Sequence, residues 1–236
     1  MTEMLYQTDS YLKEFTATVT GIDQEQNGVY LDRTAFYPGG GGQPADFGTL
    51  ETDDGTISRV KKAGRSNIHL IEGALPPVGV TVKGLIDWEH RYRLMRIHTA
   101  LHVLCGVVWH DFGASVTGGN MEPLKGRMDF EFERMQRELV DQINQRINEE
   151  ATRAHEVRVQ LLPRAEALQI PDLIRTKVNL IPESVPTIRT VELVDLDLQA
   201  CGGTHLRNTS EIGPIHVTDY KSKGGINKRI YIELDD

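Results

Sequence analysis

Apolar and polar positions along the first 87 residues alternate in short runs, and Gly, Asp, Asn and Pro separate the runs. Period-two alternation of this kind predicts strands at Phe15–Ile22, Val29–Arg33, Ile57–Lys62, Asn67–Glu72 and Val80–Asp87. Asn27-Gly28, Asp54-Gly55 and Pro76-Pro77 punctuate them as turns. Several short strands at this spacing suggest a small β-barrel. The longest break is Phe36-Tyr37-Pro38-Gly39-Gly40-Gly41-Gly42-Gln43-Pro44. Four glycines in a row favour neither helix nor strand, so a mobile loop is expected there.

The period changes at Asp87. Asp87 suits a helix N-cap, and Leu94, Ile97, Leu101, Leu104 and Val108 then recur every three or four residues. The expected helix runs from Trp88 to about Phe112 and stops at Gly113. A strand at Arg127–Phe132 follows, and then a second long helix over Arg134–Arg153. That helix carries Met135, Leu139, Ile143, Ile147 and Ala151 at four-residue steps, with a solvated opposite face. Val157–Leu162 reads as a strand, Pro163 as the opening of a short helix, and Leu173–Pro186 as irregular. Thr187–Leu193, Gly213–Lys221 and Arg229–Leu234 read as strands. The expected fold class is therefore α+β. A small β-barrel domain with the Gly-rich loop occupies 1–87, and an α+β domain with an antiparallel sheet and two long helices occupies 88–236.

Composition adds bounds rather than a function. The 236 residues are 39% hydrophobic and 25% charged, as in an ordinary globular protein able to bury a core. The net charge of -8 argues against a general nucleic-acid binder unless basic patches override it. No apolar run approaches the roughly 20 residues that span a bilayer. The start Met1-Thr2-Glu3-Met4-Leu5 lacks a signal-peptide pattern. A cytoplasmic protein is expected, with no membrane partner. The two cysteines, Cys105 and Cys201, are expected to be reduced thiols rather than a disulfide.

Candidate chemistry lies in two short motifs. His98-Thr99-Ala100-Leu101-His102 places two imidazoles one helical turn apart on one face. By itself such a pair equally describes two half-buried histidines on a helix stripe. Cys201-Gly202-Gly203-Thr204-His205 adds a thiol and a third imidazole across a glycine turn that could bring them to one point. Three imidazoles and one thiolate form a complete tetrahedral set for Zn2+. Cys105, three residues after His102, is a rival ligand or a small buried hydrophobe. The zinc-protease pattern His-Glu-x-x-His is not met, because Thr99 fills the position of the Glu base.

At these motifs the chain resembles the AlaX family, free-standing homologues of the alanyl-tRNA synthetase editing domain. The likeness rests on His98-Thr-Ala-Leu-His102 and on Cys201-Gly-Gly-Thr-His205 with the following Thr209-Ser210-Glu211-Ile212-Gly213. The lead-in Asp87-Trp88, Arg91, Tyr92 and Met95-Arg96, and the Gly-rich segment with Asp46 and Gly48, extend it over roughly residues 10–234. It fits the medium-length type that carries the barrel. The resemblance implies an aminoacyl-tRNA deacylase, a carboxylic ester hydrolase that edits in trans without ATP. It implies seryl-tRNA(Ala) as substrate, with glycyl-tRNA(Ala) as a second candidate. It also implies Thr117 as the partner of the serine hydroxyl, although Thr117 before Gly118-Gly119 equally reads as a turn residue. The loop Gly39, Gly40, Gly41 and Gly42 is implied to close over the tRNA end, its plain alternative being a flexible surface turn.

Basic groups that could contact tRNA phosphates are Arg91, Arg93 and Arg96; Lys221, Lys223, Lys228 and Arg229; and Lys61, Lys62 and Arg65. Arg91, Arg96, Lys221 and Lys223 are the chief candidates. Asp129 and Glu211 are candidate carboxylates behind a ligand imidazole, or else ordinary surface or turn residues. The expected partner is mischarged tRNA(Ala), not DNA, and the expected state a monomer or weak dimer. The rival reading is a non-catalytic tRNA-binding module with a structural zinc, because catalytic zinc usually keeps one position open and four ligands close it. A small-molecule zinc hydrolase is the third.

Overall fold

The computed structural model describes residues 2–176 and 181–236, and all side chains within them except that of Arg65. The expected irregular segment at Leu173–Pro186 lies partly outside the described residues. The chain forms two compact units, Met1–Tyr92 and Arg93–Asp236.

In the first unit, β1 (Glu3–Met4) pairs in parallel with β4 (Arg33–Thr34). Six strands close a barrel in the order β2 (Glu14–Asp23), β3 (Gly28–Leu31), β7 (Ile68–Glu72), β6 (Ile57–Ala63), β5 (Gly48–Thr52) and β8 (Thr81–Ile86). Strand alternation fills the interior: Phe15, Ala17 and Val19 from β2 meet Val29, Leu31, Leu50, Val60, Ile71 and Val82. Strand β5 was not among the expected strands, since Gly-Thr-Leu-Glu-Thr buries only Leu50. Gly48 is required there: a Cβ would lie 2.0 Å from the Leu85 carbonyl oxygen.

The Gly-rich loop contains a local turn held by hydrogen bonds. Gly40 and Gln43 exchange two backbone hydrogen bonds of 3.0 and 2.9 Å, and the Tyr37 hydroxyl donates to the Gly40 carbonyl. All four glycines have positive φ, a run that L-residues with a Cβ resist.

Helix α1 (Trp88–Phe112) begins where the Asp87 carboxylate accepts from the His90 amide, so Asp87 is the N-cap as the sequence predicts. In the second unit, β9 (Val116–Glu122), β10 (Lys125–Glu131), β14 (Ile215–Ser222) and β15 (Asn227–Leu234) form an antiparallel sheet ordered β14-β15-β10-β9. Helix α2 (Arg137–Thr152) buries Val140, Ile143, Ile147 and Ala151. It starts three residues later than predicted, so Met135 lies before it. A three-stranded antiparallel sheet, β11 (Val157–Pro163), β12 (Thr187–Leu193) and β13 (Asp197–Ala200), is joined by the short α3 (Arg164–Ala167), which opens after Pro163 as expected. Strands β9 and β13 were not anticipated. The first contains Gly118-Gly119, and the second is four residues long.

Candidate metal centre

Helix α1 supplies His98 and His102 from one face, with ring centroids 5.2 Å apart. Both lie among fully buried neighbours such as Ile97, Leu101 and Leu104. The loop after β13 supplies Cys201 and His205. The ring of His205 comes to 4.1 Å from that of His98 and 4.4 Å from that of His102. One donor atom from each of the four residues lies within 4.8 Å of all the others. The Cys201 Sγ is 3.6 Å from His98 Nε2 and 3.3 Å from His205 Nε2. Ligand bonds of about 2.0–2.3 Å give tetrahedral edges of roughly 3.3–3.8 Å, so these two separations suit a common ion. Cys105 stands apart from this cluster. It is buried, its thiol is pushed well up by desolvation, and it contacts Gln199.

Arg189 fixes the loop. Its Nη1 donates to the carbonyls of Cys201 and Gly203, each at 2.8 Å, while the Cys201 amide donates to the Arg189 carbonyl. A Cβ at Gly202 would meet nothing within 4 Å, so these hydrogen bonds, and not steric exclusion at Gly202, hold the turn. Thr99, at the position where a zinc protease carries its base, has a different task here. Its Oγ1 lies 3.3 Å from His205 Nδ1 and accepts from the Leu206 amide at 3.1 Å.

The imidazoles are held in their neutral form. Burial, with the charge of Arg189 adding to it, holds His102 down at about 3, and His98 and His205 are held well below the ordinary histidine range mainly by burial. Neutral imidazole is the form that ligates. Burial pushes the Cys201 thiol up, against the lowering influence of Arg189 and the Gly203 amide. Asp197 on β13 is buried, and its Oδ2 lies 3.7 Å from His102 Nδ1. Arg175 donates to its other oxygen from Nε at 3.2 Å and Nη2 at 3.1 Å. The sequence reading names neither Arg189, Asp197 nor Arg175, and gives Thr99 no role beyond its place in the first motif. The one signal is a charged residue between two apolar neighbours, as in Leu196-Asp197-Leu198.

Other expected site residues are placed differently. Arg91 is fully buried in the first unit, which removes it from the phosphate-contacting candidates. Its Nε donates to both oxygens of Asp46, Nη1 to the Ser10 carbonyl and Nη2 to the Ala35 carbonyl. Arg96 is half-buried and directs Nε and Nη2 to the Ile212 carbonyl and Nη2 to the Asp235 carbonyl. Lys221 and Lys223 are exposed, with Lys221 paired to Asp219 at 2.8 Å. Lys228 is buried and donates to the Gly225 carbonyl. Thr117 lies in β9, exposed, with Oγ1 donating to Asn227 at 3.0 Å. Thr117 thus lies in a strand and not in a turn. Asp129 pairs with Arg229 at 2.6 Å, and Glu211 sits in a 3-10 turn. Gly39, Gly40, Gly41 and Gly42 all belong to the first unit. Among the described residues no helix is long and apolar enough to cross a membrane.

Comparison with known proteins gives a consistent result. Residues 188–231 match the family described as threonyl and alanyl tRNA synthetase second additional domain, and residues 5–90 match that of class II (A) tRNA synthetases. The alanyl-tRNA editing protein AlaX-M of Methanosarcina mazei is 39% identical over 246 aligned residues, covering 100% of this chain and 98% of that protein. AlaX-M of Saccharolobus solfataricus is 42% identical over 98% of both chains. The alanine–tRNA ligase of Ignicoccus hospitalis is 38% identical over 92% of this chain but only 24% of its own length.

Proposed function

The chain belongs to the AlaX-M family of alanyl-tRNA editing proteins, and on that premise we propose that it is an aminoacyl-tRNA deacylase acting in trans. It hydrolyses the ester of seryl-tRNA(Ala), with glycyl-tRNA(Ala) as a second substrate, and holds one Zn2+ at His98, His102, Cys201 and His205. The observation that carries the metal assignment is the convergence of three imidazoles and one thiol within 4.8 Å. A zinc ion there supplies a Lewis acid able to polarise an ester carbonyl.

The chain's own residues do the rest. The three histidines are kept neutral by burial and present lone pairs without first losing a proton. Cys201 gives up its proton when it ligates, and Arg189 favours the resulting thiolate. Arg189 and Thr99 hold the Cys-Gly-Gly-Thr-His loop and the His205 ring in place, so that the donors are oriented before substrate arrives. Water adds to the ester carbonyl, the bond to the terminal adenosine oxygen breaks, and free serine and tRNA leave. No ATP is consumed. A tRNA substrate implies action in the cytoplasm. Lys221 and Lys223 are the phosphate contacts this reading retains.

A second reading, a non-catalytic tRNA-binding module with a structural zinc, is favoured by the same closed set of four donors. Incubation with seryl-, glycyl- and alanyl-tRNA(Ala) separates the two. Release of serine with alanyl-tRNA spared supports editing. No release above buffer by the zinc-loaded protein favours the module, and equal rates on free serine esters favour a small-molecule hydrolase. In the same assay, Thr117→Val tests serine recognition. Loss of the seryl over alanyl preference assigns the hydroxyl contact to Thr117, and its retention assigns the contact elsewhere.

A further inference from the structure

We propose that Asp197, held by Arg175, is the positioning residue for His102, accepting a proton-bearing Nδ1 so that Nε2 is the nitrogen offered to the metal. This rests on the metal-centre reading above. The three histidines of the cluster differ in what stands behind them. His205 Nδ1 faces the Thr99 hydroxyl, and His98 is hydrogen-bonded to the backbone of Thr204. His102 Nδ1 is buried and has no hydrogen-bond partner. The acceptor facing it is Asp197 Oδ2 at 3.7 Å, with both side chains almost wholly buried. A hydrogen bond there needs an approach of about 0.8 Å, a small ring rotation.

The carboxylate is built to remain in that position. Leu193 and Asp197 are register partners in the β12–β13 ladder, which fixes the Asp197 backbone. Arg175 directs Nε and Nη2 to Oδ1 alone, and its guanidinium lies over the Trp109 ring at 4.8 Å. Oδ2 is left for Gln199 Nε2 and for His102. A buried anion with one oxygen satisfied by a cation and the other turned to an unpartnered imidazole nitrogen selects the Nδ1–H tautomer. Asp129, one of the carboxylates suggested by sequence, is instead paired with Arg229 and Arg127.

The test uses the full chain loaded with zinc. Nitrogen-15 NMR of the wild type should show the His102 proton on Nδ1 with the metal on Nε2; a proton on Nε2 overturns the proposal. Asp197→Asn should weaken zinc binding roughly 10–100-fold in competition with a chelator, and Asp197→Glu should recover part of the loss. Equal zinc affinity in wild type and Asp197→Asn overturns it as well. Should Asp197→Asn misfold with Arg175 left unpaired, Asp197→Asn combined with Arg175→Met removes the stranded cation, and the same loss of affinity is expected. A wild type that takes up no zinc overturns the metal centre itself. A wild type that binds zinc with His102 protonated at Nε2 overturns only the role of Asp197.

Discussion

Each unit of the molecule contains a buried arginine–aspartate pair and at least one buried histidine, and the two units use them differently. In the barrel unit, Arg91 meets both oxygens of Asp46, whose Oδ2 also accepts from the Tyr37 amide, and Arg91's other donors reach carbonyls of Ser10 and Ala35. His69 is likewise satisfied, with Nε2 on the Thr34 hydroxyl at 2.8 Å and Nδ1 on the Val29 carbonyl at 3.3 Å. In the second unit, Arg175 occupies one oxygen of Asp197, while the other accepts from Gln199 and faces His102, and one nitrogen from each of three imidazoles converges with a thiol. A closed network stabilises and specifies a core. A network with a buried imidazole nitrogen unpartnered and several donor atoms converging is incomplete without a ligand. The difference locates function more sharply than burial or residue type.

The comparison can be broken at four points, from the largest effect down. Cys201→Ser should abolish stoichiometric zinc, lowering the content from about one ion per chain to near none, whereas Cys105→Ser should leave it at about one; metal analysis after gel filtration checks both. Arg91→Met should destabilise the barrel unit by about 3–5 kcal/mol, because it strands a buried Asp46 carboxylate. Urea denaturation should show that loss with zinc content unchanged, while Arg175→Met should lower zinc affinity as well.

The third point is pH. Burial holds His69 down to about 4 from an ordinary 6.5, so the unfolded chain binds its proton first as pH falls. The stability this residue contributes is complete above about pH 6.5 and is lost progressively down to about pH 4, a change of roughly 3 kcal/mol. His69→Gln should flatten that part of the stability profile in the barrel transition. The smallest effect is expected at the surface. Lys221→Gln and Lys223→Gln should each weaken tRNA binding a few-fold and reduce its salt slope by about one, with no change in zinc content. A variant that loses zinc would place these lysines in the fold of the centre instead.

Much of this organisation is legible in the chain. Helix α1 begins and ends at the residues its apolar period and the Asp87 cap indicate. Strand β12 matches its predicted bounds, and the five predicted barrel strands fall within a few residues of theirs. Local patterns decide these elements, so local patterns reveal them. Strands β5, β9 and β13 carry weak strand propensity in their own residues; β9 and β13 gain their ladders from the adjacent strands β10 and β12, and β5 from β6 and the distant β8.

The donor set is a similar case. Two four-residue spacings, one on a helix and one on a glycine loop, are enough to nominate His98, His102, Cys201 and His205, because ligand chemistry depends on residue type and local reach. What stands behind each donor is not local. Thr99 meets His205 across 106 positions, Arg189 grips Cys201 from a neighbouring strand, and Asp197 faces His102 from 95 residues away. The same holds for Arg91, which by charge alone is an RNA contact and by its surroundings a core residue. Sequence by itself determined which atoms can ligate and which helix and loop carry them. Tertiary structure decided which charges remain free, since burial and partnership depend on packing between distant segments that spacing does not encode.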